Sequence, residues 1–317
     1  MSTPVAAAVG GPGSGLASLL EQSLGRRFGE GPPEVVWLAA DQPAPPEVEV
    51  LVTMGIGRQA LTAQLTPSVR WVHVLATGVD GFPFDLLGGR TLTCSRGASA
   101  VAIAEFTLAA MLAFEKRLPE IWLDEPPAHW NLARLGGLAG RRLGLVGLGA
   151  IGTETARRAL AFEMEVTAYR RTAAPSPLPG VRVSPSLAEV VAGADHVVVA
   201  APATPRTRHL IGAAALAAVG PGAHLVNVSR GSLVDQEALR AALDDGRVAR
   251  ATLDVVEPEP LPEGHWLYRH PGVRLSAHVS WSAPDTLART MDAFAANLER
   301  YRDGQPLEGQ VDVAAGY

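Results

Sequence analysis

The stretch that most restricts what this chain can fold into is Gly147-Leu148-Gly149-Ala150-Ile151-Gly152. It follows the apolar run Leu143-Gly144-Leu145-Val146 and leads into residues 153–162, which can form a helix. Strand, tight turn and helix is the setting in which a G-x-G-x-x-G run meets a dinucleotide. Gly147 permits the turn, Gly149 lets the backbone approach a pyrophosphate, and Gly152 lets the helix pack against the strand. The amides of the first helical turn, at Ala150, Ile151 and Gly152, then face a negative ligand. A glycine-rich βα turn on its own can bind nothing, so the flanking strand and helix carry the reading. Because this unit begins near residue 140 of 317, the long N-terminal stretch is expected to form a separate domain.

Short apolar runs alternate with helical patterns almost throughout, as in a parallel α/β architecture. Strands are predicted over residues 5–9, 34–38, 48–53 and 71–76, and helices over 16–28 and 57–65. A long apolar helix over 100–116, interrupted by Glu105, is expected to cross between domains. Residues 119–140 are irregular and rich in Pro, Trp and Gly, which suits an excursion on the surface or against a partner chain. A second set of strands is predicted over 143–146, 165–169, 196–200, 224–228, 251–255 and 273–277. Several are apolar with little alternation, as strands buried on both faces should be. A last helix over 285–302 is expected to return to the first domain.

Composition narrows the class. A formal net charge of -5 gives no basic footprint, so neither nucleic acid nor an acidic membrane surface is expected as a partner. Cys94 is the single cysteine, which excludes an intrachain disulfide and a cysteine-based metal site within one chain; no metal is expected, and a reducing cytoplasm is the expected location. No basic residue precedes Arg26, against a secretory or mitochondrial leader, and the longest apolar stretches are broken by charge, as Glu105 breaks residues 101–114, against a membrane span.

In open α/β sheets ligands bind beyond the carboxyl ends of the strands. Three polar residues follow apolar runs in this way: Arg230 after Val226-Asn227-Val228-Ser229, Glu259 after Asp254-Val255-Val256-Glu257-Pro258, and His278 after Arg274-Leu275-Ser276-Ala277. An arginine can polarise a carbonyl and grip a carboxylate, a histidine can exchange a proton near neutral pH, and a carboxylate can orient and charge that histidine. Singly they read as a solvated charge, a turn residue and a structural histidine. Their shared location makes them a kit for carbonyl reduction.

These residues sit within further motifs: Ala76-Thr77-Gly78-Val79-Asp80, Val101 to Glu105, Val228-Ser229-Arg230-Gly231, Asp254 to Pro260, and Ala277-His278-Val279-Ser280. In that order, from about Leu75 to the C-terminus, the chain resembles the D-isomer-specific 2-hydroxyacid dehydrogenase family, which includes glyoxylate and hydroxypyruvate reductases. The first seventy residues match only in general pattern. The resemblance implies an α/β fold in which a Rossmann dinucleotide-binding domain, residues 98–285, is inserted into a smaller flavodoxin-like α/β substrate domain, residues 1–97 and 286–317, with the active site in the cleft between them. It implies Arg230 as the arginine that binds and polarises the substrate, His278 as the proton donor in reduction, and Glu259 as its carboxylate partner. Backbone amides at Thr77, Gly78 and Val79 would hold the carboxylate of a small 2-oxo acid, Asp254 would contact the nicotinamide amide, and Pro202 and Thr204 would lie along the cofactor. A homodimer formed through the cofactor domains is also implied.

Two departures from the family pattern matter. The place about twenty residues beyond the glycine loop, where an acidic residue accepts the ribose hydroxyls of NAD, holds Tyr169-Arg170-Arg171-Thr172. Two guanidinium groups beside a hydroxyl suit a 2′-phosphate, so NADPH is the expected cofactor, with NADH possible. Trp281 stands where the family often has a small residue; it can wall the substrate pocket or fill the domain interface. Trp130 can reach a partner subunit's pocket or remain an exposed packing residue. The rival expectation is a cofactor-sensing binding protein, because the family resembles transcriptional corepressors that keep the fold and the Arg, Glu and His set. The absence of a long tail after the closing helix favours an enzyme that gives a D-2-hydroxy acid.

Overall fold

The computed structural model describes residues 3–54, 57–171 and 174–317, which divide into two units, Met1–Ser99 with Ala283–Tyr317, and Ala100–Ser282. The first unit runs β1 (Val5–Ala8), α1 (Gly15–Phe28), β2 (Val35–Trp37), β3 (Val50–Thr53), α2 (Arg58–Gln64), β4 (Trp71–Val74) and β5 (Thr91–Cys94). The second continues with α3 (Ala100–Glu115), β6 (Arg142–Val146), α4 (Ala150–Ala161), β7 (Glu165–Tyr169), β8 (Val181–Ser184), α5 (Leu187–Val191), β9 (His196–Val199), α6 (Ala213–Ala218), β10 (Ala223–Asn227), α7 (Gln236–Asp244), β11 (Val248–Leu253) and β12 (Val273–Leu275). The chain then closes the first unit with α8 (Thr286–Arg302).

The first sheet has the order β2-β1-β3-β4-β5, all parallel, which is the flavodoxin-like arrangement. Alternate residues of β3 feed opposite cores: Val50 and Val52 pack with α1 and α8, while Leu51 packs on the α2 side. Met291, Phe294, Ala295 and Leu298 repeat at helical spacing on α8 and meet Leu20, Leu24 and Trp71. Burying each large apolar side chain there contributes roughly 1.5–3 kcal/mol, and this is why the C-terminal helix returns to this sheet. The tail beyond α8 covers the edge of β5, with the Val311 amide donating to the Leu92 carbonyl at 2.9 Å and the Cys94 amide to the Gly309 carbonyl at 3.0 Å.

The second sheet has the order β12-β11-β10-β9-β6-β7-β8, again parallel. Reading from β8 to β11 gives the 3-2-1-4-5-6 order of a Rossmann fold, with β12 added at one edge. The order reverses between β6 and β9, and ligands in such sheets bind at the strand ends beside that reversal. Both faces are covered: α3 and α4 pack Ile103, Met111, Ala156 and Ala159 on one, and α6 and α7 pack Leu216, Leu239 and Leu243 on the other. The helix expected to cross between domains belongs wholly to this second unit, where its intrusive Glu105 is exposed and lies 3.6 Å from Arg158. Residues 116–140 form neither helix nor strand and expose Trp122, Leu123, Trp130 and Leu132. Among the described residues no helix is long and apolar enough to cross a membrane.

Candidate active site

Gly147 ends β6 with a φ of +106°, and a Cβ there would stand 2.8 Å from the backbone of Ala200 and Ala201 just beyond β9. Only glycine meets both conditions. Gly152 is required for a different reason: a Cβ would lie 2.2 Å from the Gly147 carbonyl oxygen, so α4 sits directly on its own turn. At Gly149 a Cβ would meet no protein atom within 4 Å, and this residue caps α4 without a side-chain hydrogen bond. Protein packing therefore does not call for glycine at 149. A cradle of this shape at a helix N-terminus, with Ala150 and Ile151 opening the helix, fits a diphosphate.

Beyond β7, the Arg170 amide donates to the Ser184 carbonyl at 3.1 Å and its Nη1 to the Pro175 carbonyl at 3.3 Å, while Arg171 is exposed. Thr172 lies outside the described residues. Beyond β9, Thr207 Oγ1 donates to the Pro202 carbonyl at 2.7 Å and accepts the Thr204 amide at 2.8 Å, which closes that loop on itself. Ser229 donates its hydroxyl to the Ala201 carbonyl and joins this loop to the one after β10.

Arg230 is half-buried in the turn after β10. Asn227, buried at the end of the strand, shapes this turn by donating from Nδ2 to the Arg230 carbonyl at 2.9 Å and accepting the Ser229 amide at 3.1 Å. The next residue, Gly231, lies so close to the Val256 and Glu257 backbone that a Cβ would fall 2.0 Å from the Val256 carbonyl carbon. The turn carrying Arg230 thus packs against the segment that carries Glu259.

Glu259 and His278 meet directly: Glu259 Oε2 is 2.9 Å from His278 Nδ1, and Glu259 Oε1 accepts the Val256 amide at 3.0 Å. Their side chains are 36% and 40% exposed, enough for a small molecule to reach the imidazole. His278 has a φ of +55°, and its amide donates to the Asp254 carbonyl at 2.9 Å. The Asp254 carboxylate, 1% exposed, accepts Ser276 Oγ at 2.6 Å and the Val279 amide at 2.9 Å on one oxygen, and the Ser280 amide at 2.9 Å on the other. Burial pushes this carboxyl up, but those bonds outweigh it and hold it below its ordinary value. Trp281 Nε1 donates to the His278 carbonyl at 2.9 Å. In the first unit, Thr77 shares a 2.6 Å hydroxyl bond with Ser99, and its carbonyl accepts the Cys94 thiol at 3.6 Å, while Val79 is buried.

Sequence reasoning had no place for a second polar group, centred on two histidines at the opposite, amino ends of β9 and β10. Glu115 at the end of α3 lies 3.2 Å from His196 Nε2, His196 Nδ1 lies 3.2 Å from His224 Nδ1, and His224 Nε2 lies 2.9 Å from Thr252 Oγ1. If Thr252 donates its hydroxyl proton, every bond in the chain is satisfied with both rings neutral. Burial pushes His196 down to about 4 and His224 well below its ordinary value, and it pushes Glu115 up. The available signal was a histidine near the start of each of two apolar strands.

The D-isomer specific 2-hydroxyacid dehydrogenase NAD binding domain matches residues 108–280 of this chain. A glyoxylate reductase from Thermofilum pendens is 33% identical over 78% of this chain and 76% of its own length. Glyoxylate/hydroxypyruvate reductase A from Serratia proteamaculans is 30% identical over 78% of this chain and 82% of its own. The crystal structure of a D-isomer specific 2-hydroxyacid dehydrogenase from Xanthobacter autotrophicus Py2, in complex with NADPH and MES, shares a TM-score of 0.86 at 28% identity and covers 100% of both chains. The arginine, glutamate and histidine at the strand ends thus stand in a chain that belongs to the D-isomer-specific 2-hydroxyacid dehydrogenases, oxidoreductases with a nicotinamide-binding domain.

Proposed function

We propose that the protein reduces a small 2-oxo acid to the D-2-hydroxy acid, in the manner of a glyoxylate or hydroxypyruvate reductase, with NADPH as the favoured cofactor. The observation that carries this reading is the 2.9 Å contact between His278 Nδ1 and Glu259 Oε2, which orients the imidazole and directs its Nε2 away from the carboxylate. A bound nicotinamide supplies the hydride that the keto carbon receives. His278 Nε2 gives the proton that the keto oxygen takes up, and Glu259 stabilises the charged imidazole until then. Arg230 grips the substrate carboxylate and stabilises negative charge growing on the oxygen. The amides of Thr77, Gly78 and Val79 are proposed to hold the same carboxylate, on the strength of the motif they form.

For the cofactor, the turn from Gly147 to Gly152 would hold the diphosphate and the loop through Pro202 and Thr204 would run beside it. Arg170 and Arg171, with no acidic residue at that strand end, would meet a 2′-phosphate. The Xanthobacter relative was determined with NADPH, which supports this choice. Asp254, at the strand end beyond β11, would accept the nicotinamide amide, on the strength of the motif from Asp254 to Pro260. Exposed Trp122, Trp130 and Leu132 suit the proposed homodimer better than a solvated loop.

The test is steady-state turnover of glyoxylate, hydroxypyruvate, pyruvate and an aryl 2-oxo acid with NADPH and NADH in parallel, repeated for His278→Ala and Arg230→Ala. Both substitutions should lower kcat by about 10²–10⁴-fold while NADPH affinity, measured by titration, stays nearly intact. Arg230→Ala should also raise KM, because it deletes a contact made before the transition state. Tight NADPH binding with no turnover on any 2-oxo acid would overturn the enzyme reading in favour of a cofactor-sensing binding protein.

A further inference from the structure

We infer that Trp281 is a positioning residue for His278: its indole N–H holds the His278 carbonyl and thereby fixes the backbone from which the imidazole is presented. The inference rests on the proposed role of His278 as proton donor.

His278 adopts a left-handed backbone, with φ of +55°. A side-chain-bearing residue keeps that conformation only when its surroundings impose it. On its amino side the restraint is clear, because the His278 amide donates to the Asp254 carbonyl at 2.9 Å, next to a carboxylate that collects Ser276 Oγ and the Val279 and Ser280 amides. On its carboxyl side, the His278 carbonyl accepts the Trp281 indole N–H at 2.9 Å. The peptide plane after His278 is therefore held from both ends, by the Val279 amide on Asp254 and by its own carbonyl on Trp281. A rotation of that plane would turn the Cα–Cβ bond of His278 and draw Nδ1 away from the Glu259 oxygen, 2.9 Å off.

Burial does not explain the tryptophan. Trp281 is 39% exposed and belongs to none of the four apolar clusters among the described residues. A large ring kept at the surface and tied by its one polar atom to the residue proposed to move the proton acts through that bond. The expected consequence is a split between kcat and binding: a loosened imidazole slows proton transfer, while the glycine turn is untouched.

Trp281→Phe keeps an aromatic ring and removes the N–H; Trp281→His restores a ring N–H. With NADPH and the best 2-oxo acid from the screen, Trp281→Phe should lower kcat about tenfold or more, the scale on which a displaced catalytic group slows a reaction. KM for the oxo acid and the NADPH dissociation constant should stay within about twofold and the melting temperature nearly constant, and Trp281→His should regain part of the lost kcat. A kcat for Trp281→Phe within about twofold of the unaltered protein, or an equal loss of kcat in Trp281→His, would overturn the inference. His278→Ala in the same assay separates the two readings: if it retains turnover, the role of His278 falls. If it is inactive while Trp281→Phe is unimpaired, only the positioning role of Trp281 falls.

Discussion

Glu259 is held at both carboxylate oxygens, Oε1 by the Val256 amide at 3.0 Å and Oε2 by His278 Nδ1 at 2.9 Å, so the group that orients the imidazole is itself oriented. Asp254 performs the matching task for the backbone, collecting the amides of His278, Val279 and Ser280 on its carbonyl and carboxylate. Side chain and main chain of His278 are thus fixed by separate residues, both beyond the end of β11. With His278 as the proposed proton donor, pre-organisation of this kind would let the proton be delivered without a conformational search at the moment of reaction.

Glu259→Gln isolates the charge. The amide keeps the shape and an acceptor but removes the negative charge beside Nδ1, so kcat for reduction should fall about tenfold or more while NADPH affinity stays within about twofold. Steady-state turnover and NADPH titration of both proteins provide the check. An unchanged kcat, with His278 shown to be essential, would remove Glu259 from the mechanism. The neighbouring Glu257 is already paired with Arg208 Nη1 at 2.9 Å.

Arg170→Asp tests the cofactor reading. A carboxylate at this strand end repels a 2′-phosphate and accepts ribose hydroxyls, so kcat/KM should fall with NADPH and rise with NADH. A tenfold change in either corresponds to about 1.4 kcal/mol. If the unaltered protein prefers NADH by tenfold or so, the arginine pair does not select a phosphate. Arg170 then only ties its loop to the Pro175 carbonyl, the contact it makes at 3.3 Å.

What could be read from the sequence follows what is local. Strands β6, β9 and β10 are buried along nearly their whole length, while β7 alternates buried with half-buried residues; the positions of all four were legible within a residue or two, as were the strand ends that carry Arg230, Glu259 and His278. β5 was missed because Thr91-Leu92-Thr93-Cys94 is half polar. Thr93 is buried all the same, accepting Trp71 Nε1 at 2.8 Å and bonding His73 Nδ1 at 2.7 Å, both on the neighbouring strand. β8, Val181–Ser184, was missed because it is short and at the edge of its sheet, with Arg182 exposed. The Asp254 clamp and the His196–His224 contact depend on which strands are neighbours and in what register, and His224 pairs with His196 only because β9 and β10 lie side by side. No local pattern carries that information.

The buried histidines set an expectation for acid stability. His73 is fully buried between Thr93 and Ser95, and burial pushes it down to about 3, from an ordinary value of 6.5. His196 is pushed down to about 4 for the same reason. Between each folded value and 6.5 the unfolded chain binds a proton that the folded chain refuses, so stability is fully present above pH 6.5 and is lost as pH falls toward 4. Each site contributes up to about 1.4 kcal/mol per pH unit in that window. Glu115 has the opposite sign, since its raised carboxyl favours the folded state less as pH rises above its ordinary 4.5. His73→Asn should destabilise the first unit at pH 8, where it breaks buried hydrogen bonds. The gap to the unaltered protein should then narrow on acidification, because asparagine carries no proton to refuse. Urea unfolding of both proteins at half-unit steps from pH 8 to 4.5 measures the gap, with separate probes for the two units because they need not unfold together. Parallel curves across that range would mean that His73 takes up its proton without unfolding, and that its burial is not what limits acid stability.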